Sequence, residues 1–339
     1  MMKRGLVSIL FVSLLLVVNS TAISENAQIS GKDSNKRYFV EEGREISSIN
    51  KFGYSVKESK SLKGKIIYVP DDYSTIQKAV DHAQPGDTII VRDGTYVENV
   101  VINKPHLTIK SENGPENCIV RARSRYDPVF SIHDDHITLM GFTAVDGWDG
   151  IEVCNSSNSI ITDNIISNCK WGIVLGDSTN NIVTKNSVSS NGDAGIELWH
   201  SSSNVIKDNI ISGKNDGIWI WRSSKNTITK NNISSRDDGI WSWHSSSNTI
   251  IKNNISNNDK GIRLSYSFGN RIIRNNFIGN FIQATFENSR SNWWFNNYWD
   301  DWKFSLPRPI RGTIYLKFID ENVPWINFDW HPSTELLEG

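Results

Sequence analysis

A repeat of about 22 residues constrains the fold of this chain more than any other feature. Gly-Ile pairs are separated by 22, 23, 22, 22 and 22 residues and begin at Gly150, Gly172, Gly195, Gly217, Gly239 and Gly261. Short β-branched runs between Asn, Ser and Gly turns fill each repeat, without a helical pattern or a leucine ladder. This combination predicts a β-solenoid, in which each repeat forms one coil and the coils stack about 4.8 Å apart.

Stacking in register places equivalent residues of successive repeats in columns along the solenoid axis. The isoleucine of each pair is expected to point inward, and two Asn positions are expected to form hydrogen-bonded amide ladders that support the buried turns. The first predicted ladder comprises Asn158, Asn181, Asn204, Asn226, Asn248 and Asn270, and the second comprises Asn164, Asn186, Asn209, Asn231, Asn253 and Asn275. We predict a structural role for both.

The flanking segments complete the predicted domain organisation. Residues 65–69 read as a strand, and a short amphipathic helix near 74–83, capped by Ser74 or Thr75, would cover the first end of the solenoid. The aromatic tail would cover the last end. We predict a polar, poorly ordered spacer over 24–62, a parallel β-helix over 63–290 and a C-terminal capping segment over 291–339.

The N-terminus has the pattern of an export signal. Lys3 and Arg4 precede an apolar run over 5–18, which is shorter than the roughly 20 residues needed to span a bilayer. We predict a signal peptide over 1–23, with an uncleaved membrane anchor as the alternative. The mature protein is expected to be secreted or to lie on the extracytoplasmic cell surface.

Charge and cysteine content narrow the function classes. A net charge of −1 and a pI near 6.7 give no electrostatic support for nucleic-acid binding. The chain has three cysteines, Cys118, Cys154 and Cys169, and no two of them form a CxxC motif. A Cys154–Cys169 disulfide and buried free thiols both remain open.

Three stretches resemble a known family. The opening IIYVPDDYSTIQKAVDHAQPGDTIIVRDGTYVENVVI is similar to the N-terminal cap and first coils of pectin-lyase-like β-helix proteins. The unit GIxLxxSxxNxIxxNxI resembles NosD-type repeats, and NNYWDDW…PWINFDWHP resembles the end of archaeal secreted members. The resemblance covers residues 65–332 and implies an all-β fold, a single-stranded right-handed parallel β-helix with a short N-terminal capping helix and an aromatic C-terminal cap.

The activities associated with such proteins find little support in the motifs. The sequence motifs of pectin methylesterases and polygalacturonases are absent. The nearest match to an epimerase motif is HDDH at 133–136, which begins an ordinary strand. The NosD name suggests copper binding. His200 and His244 share a column but lie two coils apart, about 9.6 Å at the strand spacing, which is too far for both to bind one ion. We expect neither a metal site nor a cofactor, although Ca²⁺ remains an option for an enzymatic role.

Strand alternation places a group of tryptophans outside the solenoid. The outward positions after the Gly-Ile pairs carry five tryptophans on three consecutive coils, with acidic, histidine and arginine neighbours. An outward aromatic patch of this kind is typical of a binding surface. The predicted ligand-binding residues are Trp199, Trp219, Trp221, Trp241, Trp243, Glu197, His200, Arg222 and His244.

These observations predict a protein that binds extracellular or cell-surface polysaccharide at the tryptophan-rich face. The first alternative is a polysaccharide lyase or glycoside hydrolase at the same face. Its candidate catalytic groups are Asp216 and Asp238, one coil apart, and Arg222. The second alternative is a purely structural or adhesive envelope protein.

Overall fold

Residues 64–338, as described by a computed structural model, form a right-handed parallel β-helix. The predicted signal peptide and polar spacer lie outside these residues. Within them, no helix has the length and apolar character needed to cross a bilayer.

The N-terminal part contains the first coils and the capping helix. Thr75 caps the helix through its side chain, which accepts a hydrogen bond from the Lys78 N–H, and Ile76, Ala79 and Val80 are buried against the first coils. The elements are β1 (Ile66–Val69), α1 (Ile76–His82), β2 (Thr88–Val91), β3 (Gly94–Val97), β4 (Val100–Ile102), β5 (Thr108–Ser111), β6 (Cys118–Arg121), β7 (Phe130–Ile132), β8 (Thr138–Met140) and β9 (Thr143–Val145). The predicted capping helix is therefore confirmed.

The repeats form coils of three strands each, joined by short turns. The strands are β10 (Asp149–Cys154), β11 (Ile160–Thr162), β12 (Ile165–Ser167), β13 (Trp171–Gly176), β14 (Ile182–Thr184), β15 (Ser187–Asn191), β16 (Ala194–Trp199), β17 (Val205–Lys207), β18 (Ile210–Gly213), β19 (Asp216–Trp221), β20 (Thr227–Thr229), β21 (Asn232–Ser235), β22 (Asp238–Trp243), β23 (Thr249–Ile251), β24 (Asn254–Ser256), β25 (Lys260–Ser265), β26 (Arg271–Ile273) and β27 (Asn276–Ile278). In each of these coils the first of the three strands begins one residue before the Gly-Ile pair.

The C-terminal part ends the coils and adds a hairpin. Its strands are β28 (Ile282–Glu287), β29 (Trp293–Phe295), β30 (Tyr298–Trp299), β31 (Arg308–Leu316) and β32 (Glu321–Asp329). Trp294 pairs with Ile272 and Trp299 with Phe277, so the coil pattern extends past the predicted boundary at residue 290. The antiparallel hairpin β31–β32 follows at this end of the solenoid.

The strands stack into three parallel faces. The Gly-Ile face consists of β4, β7, β10, β13, β16, β19, β22, β25, β28 and β31. The strands that follow them in each coil form a second face, and the two faces together make a 22-stranded sheet. The third face is a separate 10-stranded sheet that runs from β3 to β30.

The core is aliphatic because strand alternation repeats in every coil. Ile196, Ile218 and Ile240 pair in register and are fully buried, as the inward column predicts. Inside the last coils the larger rings of Trp294 and Trp299 replace isoleucine. The thiols of Cys118 and Cys169 are buried and that of Cys154 is half-buried, and all three are free.

Buried amide ladders hold the turns of adjacent coils together. Asn226 donates from its backbone N–H and its Nδ2 to Asn248 Oδ1, at 2.9 and 3.1 Å, and from Nδ2 to the Ser201 carbonyl. Both predicted ladders form, with one correction at the start of the first. Ser159, rather than Asn158, precedes Asn181 in this ladder, and Asn158 lies exposed on the adjacent turn in a left-handed conformation.

Candidate functional site

The five predicted tryptophans lie on the outer surface of the Gly-Ile face. Trp219 and Trp221 alternate with the fully buried Ile218 and Ile220 along β19. Trp199, Trp221 and Trp243 pair in register, and Trp219 pairs with Trp241. All five side chains are half-buried.

A sixth tryptophan extends this array. Trp171 occupies the position before Gly172, and its ring stacks on that of Trp219 with centroids 5.6 Å apart at 19°. The coil between them carries the small Ala194 at the equivalent position, which leaves room for the contact. The predicted site omits Trp171 because it precedes the glycine. We call Trp171, Trp199, Trp219, Trp221, Trp241 and Trp243 the tryptophan ladder.

Neighbouring rings of the tryptophan ladder stack with a lateral offset. Trp219 and Trp241 are 5.4 Å apart at 11°, and Trp221 and Trp243 are 5.8 Å apart at 11°. Trp219 also lies 6.1 Å from Trp221 at 16°. Such separations are typical of offset stacking, so neighbours cover much of each inner ring face. The ladder therefore presents ring edges and partial faces, not a flat plate of open rings.

The indole N–H groups are mostly unavailable to a ligand. The Nε1 atoms of Trp199, Trp219, Trp221 and Trp241 are buried and meet no hydrogen-bond acceptor within residues 64–338. Polar recognition at the tryptophan ladder must therefore come from neighbouring side chains.

A column of turn residues supplies those polar neighbours. His200, Arg222 and His244 follow the strands on consecutive coils, with φ of 50°, 47° and 48°. This left-handed backbone occurs at the corner where the chain leaves the Gly-Ile face. His200 stacks on Trp199 with centroids 4.7 Å apart, and the Arg222 guanidinium lies 5.3 Å from the ring centre of Trp221.

The two candidate catalytic acids, Asp216 and Asp238, are neighbours at the other end of the strands. Asp216 accepts a hydrogen bond from the Asp238 backbone N–H through Oδ1 at 3.1 Å, and Asp238 forms a 3.3 Å ion pair with Lys260. Burial raises the pKa of Asp216 to about 6 and also raises that of Asp238. Arg222 follows the far end of β19, roughly 20 Å from Asp216 at the strand rise. The structure brings the two acids together but leaves Arg222 apart.

A further pair of acids lies beside the first coils of the ladder. Burial raises the pKa of Glu197 to about 7, with a contribution from Asp193, and raises that of Asp149 to about 7, with contributions from Glu152 and Glu197. Glu197 is a predicted site residue, whereas Asp149 is not. Its signal in the sequence is the Asp-Gly-Ile pattern shared with Asp216 and Asp238.

These raised pKa values predict a pH-dependent stability. An unfolded carboxyl titrates near pH 4, so between about pH 4 and 7 the native state binds more protons than the unfolded state, and stability falls as pH rises. We expect the melting temperature to decrease between pH 5 and 8, and Glu197→Gln to flatten that decrease. Calorimetry across this pH range checks the prediction. An unchanged slope in Glu197→Gln, or the same flattening in the exposed-site control Glu116→Gln, would contradict it.

The described residues do not fit a metal site. No group of three or more His, Cys, Asp or Glu side chains within residues 64–338 is arranged to hold an ion. His200 and His244 are separated by the coil of Arg222, and the His244 ring stacks on Tyr266 instead. Within HDDH, Asp135 accepts a hydrogen bond from the Ser157 backbone N–H, and the His136 ring stacks on His106.

Together these features define a parallel β-helix protein with an external aromatic ladder. A family model described as "Periplasmic copper-binding protein (NosD)" matches residues 80–316, more than half of the chain. The chain belongs to the NosD family. The resemblance seen in the repeat sequence is thus confirmed.

Similarity to a curated protein covers a shorter stretch. A cell surface glycoprotein of Methanothermus fervidus is 36% identical over 98 residues, which is 28% of this chain and 16% of that protein. The chain therefore matches only a small part of this relative.

Solved structures share the fold at low sequence identity. Tailspike protein 2 of Escherichia coli O157:H7 bacteriophage CAB120 superposes with a TM-score of 0.57 at 15% identity, covering 74% of this chain and 39% of the tailspike. The A-module of a mannuronan C-5 epimerase from Azotobacter vinelandii gives 0.50 at 12% identity, covering 70% of this chain and 82% of the module. Both are similar in fold.

Proposed function

We propose that this protein binds polysaccharide at the cell surface through the tryptophan ladder. One observation carries the proposal: six indole rings form a continuous, partly exposed strip on the outside of the solenoid. At the strand spacing, the strip from the coil of Trp171 to that of Trp243 is about 14 Å long. A partly exposed aromatic strip of this length suits the C–H surface of consecutive sugar units.

Polar groups beside the strip can contact sugar hydroxyls. His200, Arg222 and His244 are held outward along one side by their turn conformation, and Glu197 lies within the strip. This set contains hydrogen-bond donors and acceptors, which the buried indole N–H groups cannot supply. The extracellular setting of the proposal is supported by the name of the Methanothermus fervidus relative and by the signal-like N-terminus.

The Trp221→Ala variant tests the proposal. A glycan array of the wild-type protein first identifies a bound polysaccharide, and calorimetric titration then compares the variants. Because Trp221 contacts three other rings of the ladder, its loss should weaken binding at least about tenfold, or 1.4 kcal/mol. Arg222→Gln, which leaves the rings in place, should weaken binding less.

Trp293→Ala is the matched control. Trp293 is 49% exposed on a different face, so its removal deletes a surface indole without touching the ladder. Equal losses in Trp221→Ala and Trp293→Ala would count against the ladder as the binding surface. Absence of binding to every glycan on the array would remove the proposal altogether.

A polysaccharide-cleaving enzyme is the second candidate function. It is favoured by the acids beside the ladder, since carboxyl groups with a pKa near 6 or 7 can act as general acids near neutral pH. Asp216 and Asp238 lie one coil apart, and retaining hydrolysis uses two carboxyl groups about 5–5.5 Å from each other. Release of reducing ends or unsaturated products, with and without Ca²⁺, would support this function. Glycan binding without product release would support the binding role alone. If the protein neither binds glycans nor releases products, a structural role in the envelope is left.

A further inference from the structure

The aromatic column beside the tryptophan ladder ends at a groove. His244 stacks on Tyr266 with ring centroids 4.9 Å apart at 13°. The next residue in this turn column is Asn288, which adopts the same left-handed conformation but has no ring. One face of Tyr266 is therefore covered by His244, and the stack stops where Asn288 replaces an aromatic side chain.

The groove that results has a volume of about 490 Å³ and is lined by Tyr266, Phe268, Asn288, Arg290 and Tyr315. Tyr266, Phe268 and Tyr315 are 39%, 45% and 40% exposed, so their rings are more open than those of the tryptophan ladder. This volume lies within the range of sites for small organic ligands.

Arg290 gives the groove an unpaired positive charge. Its side chain is exposed and forms no salt bridge with any residue in 64–338. The nearby acids already have partners: Glu287 lies 3.9 Å from Arg263, and Asp320 accepts a hydrogen bond from the Tyr315 hydroxyl. A free guanidinium matches the geometry of a carboxylate.

Asn288 adds a second donor. Its Oδ1 accepts the backbone N–H of Tyr315, which orients the amide and leaves Nδ2 to donate to a ligand. The groove thus combines open aromatic faces, one cation and one amide donor.

From this combination we infer that the groove binds an acidic sugar unit, with its ring on Tyr266 and its carboxylate on Arg290. The inference rests on the proposed function and specifies its ligand: a polysaccharide that contains uronate units and continues from the groove along the tryptophan ladder. The sugar ring stacks on the face of Tyr266 that His244 leaves open, beside the Asn288 amide.

Titration calorimetry with two α-1,4-linked probes tests the inference. Tetragalacturonate should bind more tightly than neutral maltotetraose. Arg290→Gln should weaken tetragalacturonate binding by roughly tenfold or more, because a charge-assisted contact is lost, and should leave maltotetraose unchanged. Arg274→Gln is the matched control, since Arg274 is also exposed but lies outside the groove.

Failure of the inference and failure of the proposed function give different results. If both probes bind equally, if tetragalacturonate does not bind, or if Arg290→Gln changes neither affinity, the acidic-sugar site is overturned. If Trp221→Ala still weakens glycan binding in that case, the ladder proposal stands alone. If Arg290→Gln weakens tetragalacturonate binding and Trp221→Ala does not, the groove stands and the ladder proposal falls.

Discussion

The Asn231→Ala variant is expected to lose about 3–5 kcal/mol of stability, because several buried polar groups lose their partners at once. Asn231 Nδ2 donates to the Ile206 and Thr229 carbonyls at 2.9 and 3.0 Å, and to Asn253 Oδ1 at 3.0 Å. Its Oδ1 accepts from the backbone N–H and Nδ2 of Asn209, both at 3.0 Å. A methyl side chain satisfies none of these groups.

Urea denaturation of Asn231→Ala and Asn232→Ala measures this effect with a matched pair. Asn232 is the next residue, is exposed, and uses its backbone rather than its side chain in the coil. We expect Asn232→Ala to change stability by less than about 0.5 kcal/mol, the usual range for surface substitutions. Similar denaturation midpoints for the two variants would contradict a structural role for the ladder.

Gly217→Ala is expected to cost about 3 kcal/mol, the upper end of the usual range for overpacking, through steric collision at a corner of the coil. An added Cβ would lie less than 3.0 Å from Ile233 Cγ2 and from the Gly239 carbonyl oxygen. Ile233 is a core residue, and Gly239 occupies the same corner in the next coil, so neither has room to move. The repeated glycine thus exists because two backbones and a core side chain meet there.

Gly192→Ala provides the comparison for Gly217→Ala. An added Cβ at Gly192 would meet the Lys170 carbonyl oxygen at 3.4 Å, an ordinary contact distance. Thermal unfolding followed by circular dichroism should show a large loss for Gly217→Ala and a small change for Gly192→Ala. A Gly217→Ala protein as stable as the wild type would refute the steric explanation.

The repeat made much of the fold predictable, since a fixed period determines which residues stack and strand alternation determines which point outward. The inward isoleucines, the two Asn ladders and the outward positions of Trp219 and Trp221 all follow from these two rules. The prediction for Asn158 is wrong because this residue lies 23 positions before Asn181 in a coil of 22 residues, so Ser159 occupies the ladder position. The coil pattern continues through Trp294 and Trp299, whose larger rings take the positions of the core residues in the preceding coils.

Features that depend on the length and rotamer of side chains could not be predicted from the repeat. Trp171 joins the tryptophan ladder because its ring extends past Ala194 in the next coil and stacks on Trp219. Assigning residues to columns cannot predict a contact between different columns two coils apart. The overlap of the rings, which hides much of their faces, depends on rotamers. The groove at Tyr266 likewise arises from the residue types in two successive coils and the hairpin.

Hydroxyl-radical footprinting with mass spectrometry tests the central claim, polysaccharide binding along the tryptophan ladder, most directly. Oxidation of each tryptophan is compared with and without the polysaccharide identified on the array. We predict protection at the ladder positions, most strongly at Trp221 and Trp243 beside the turn column, with Trp293 and Trp330 unchanged as exposed references. Unaltered oxidation of the ladder at a saturating polysaccharide concentration, or protection confined to Trp293 and Trp330, would contradict the account.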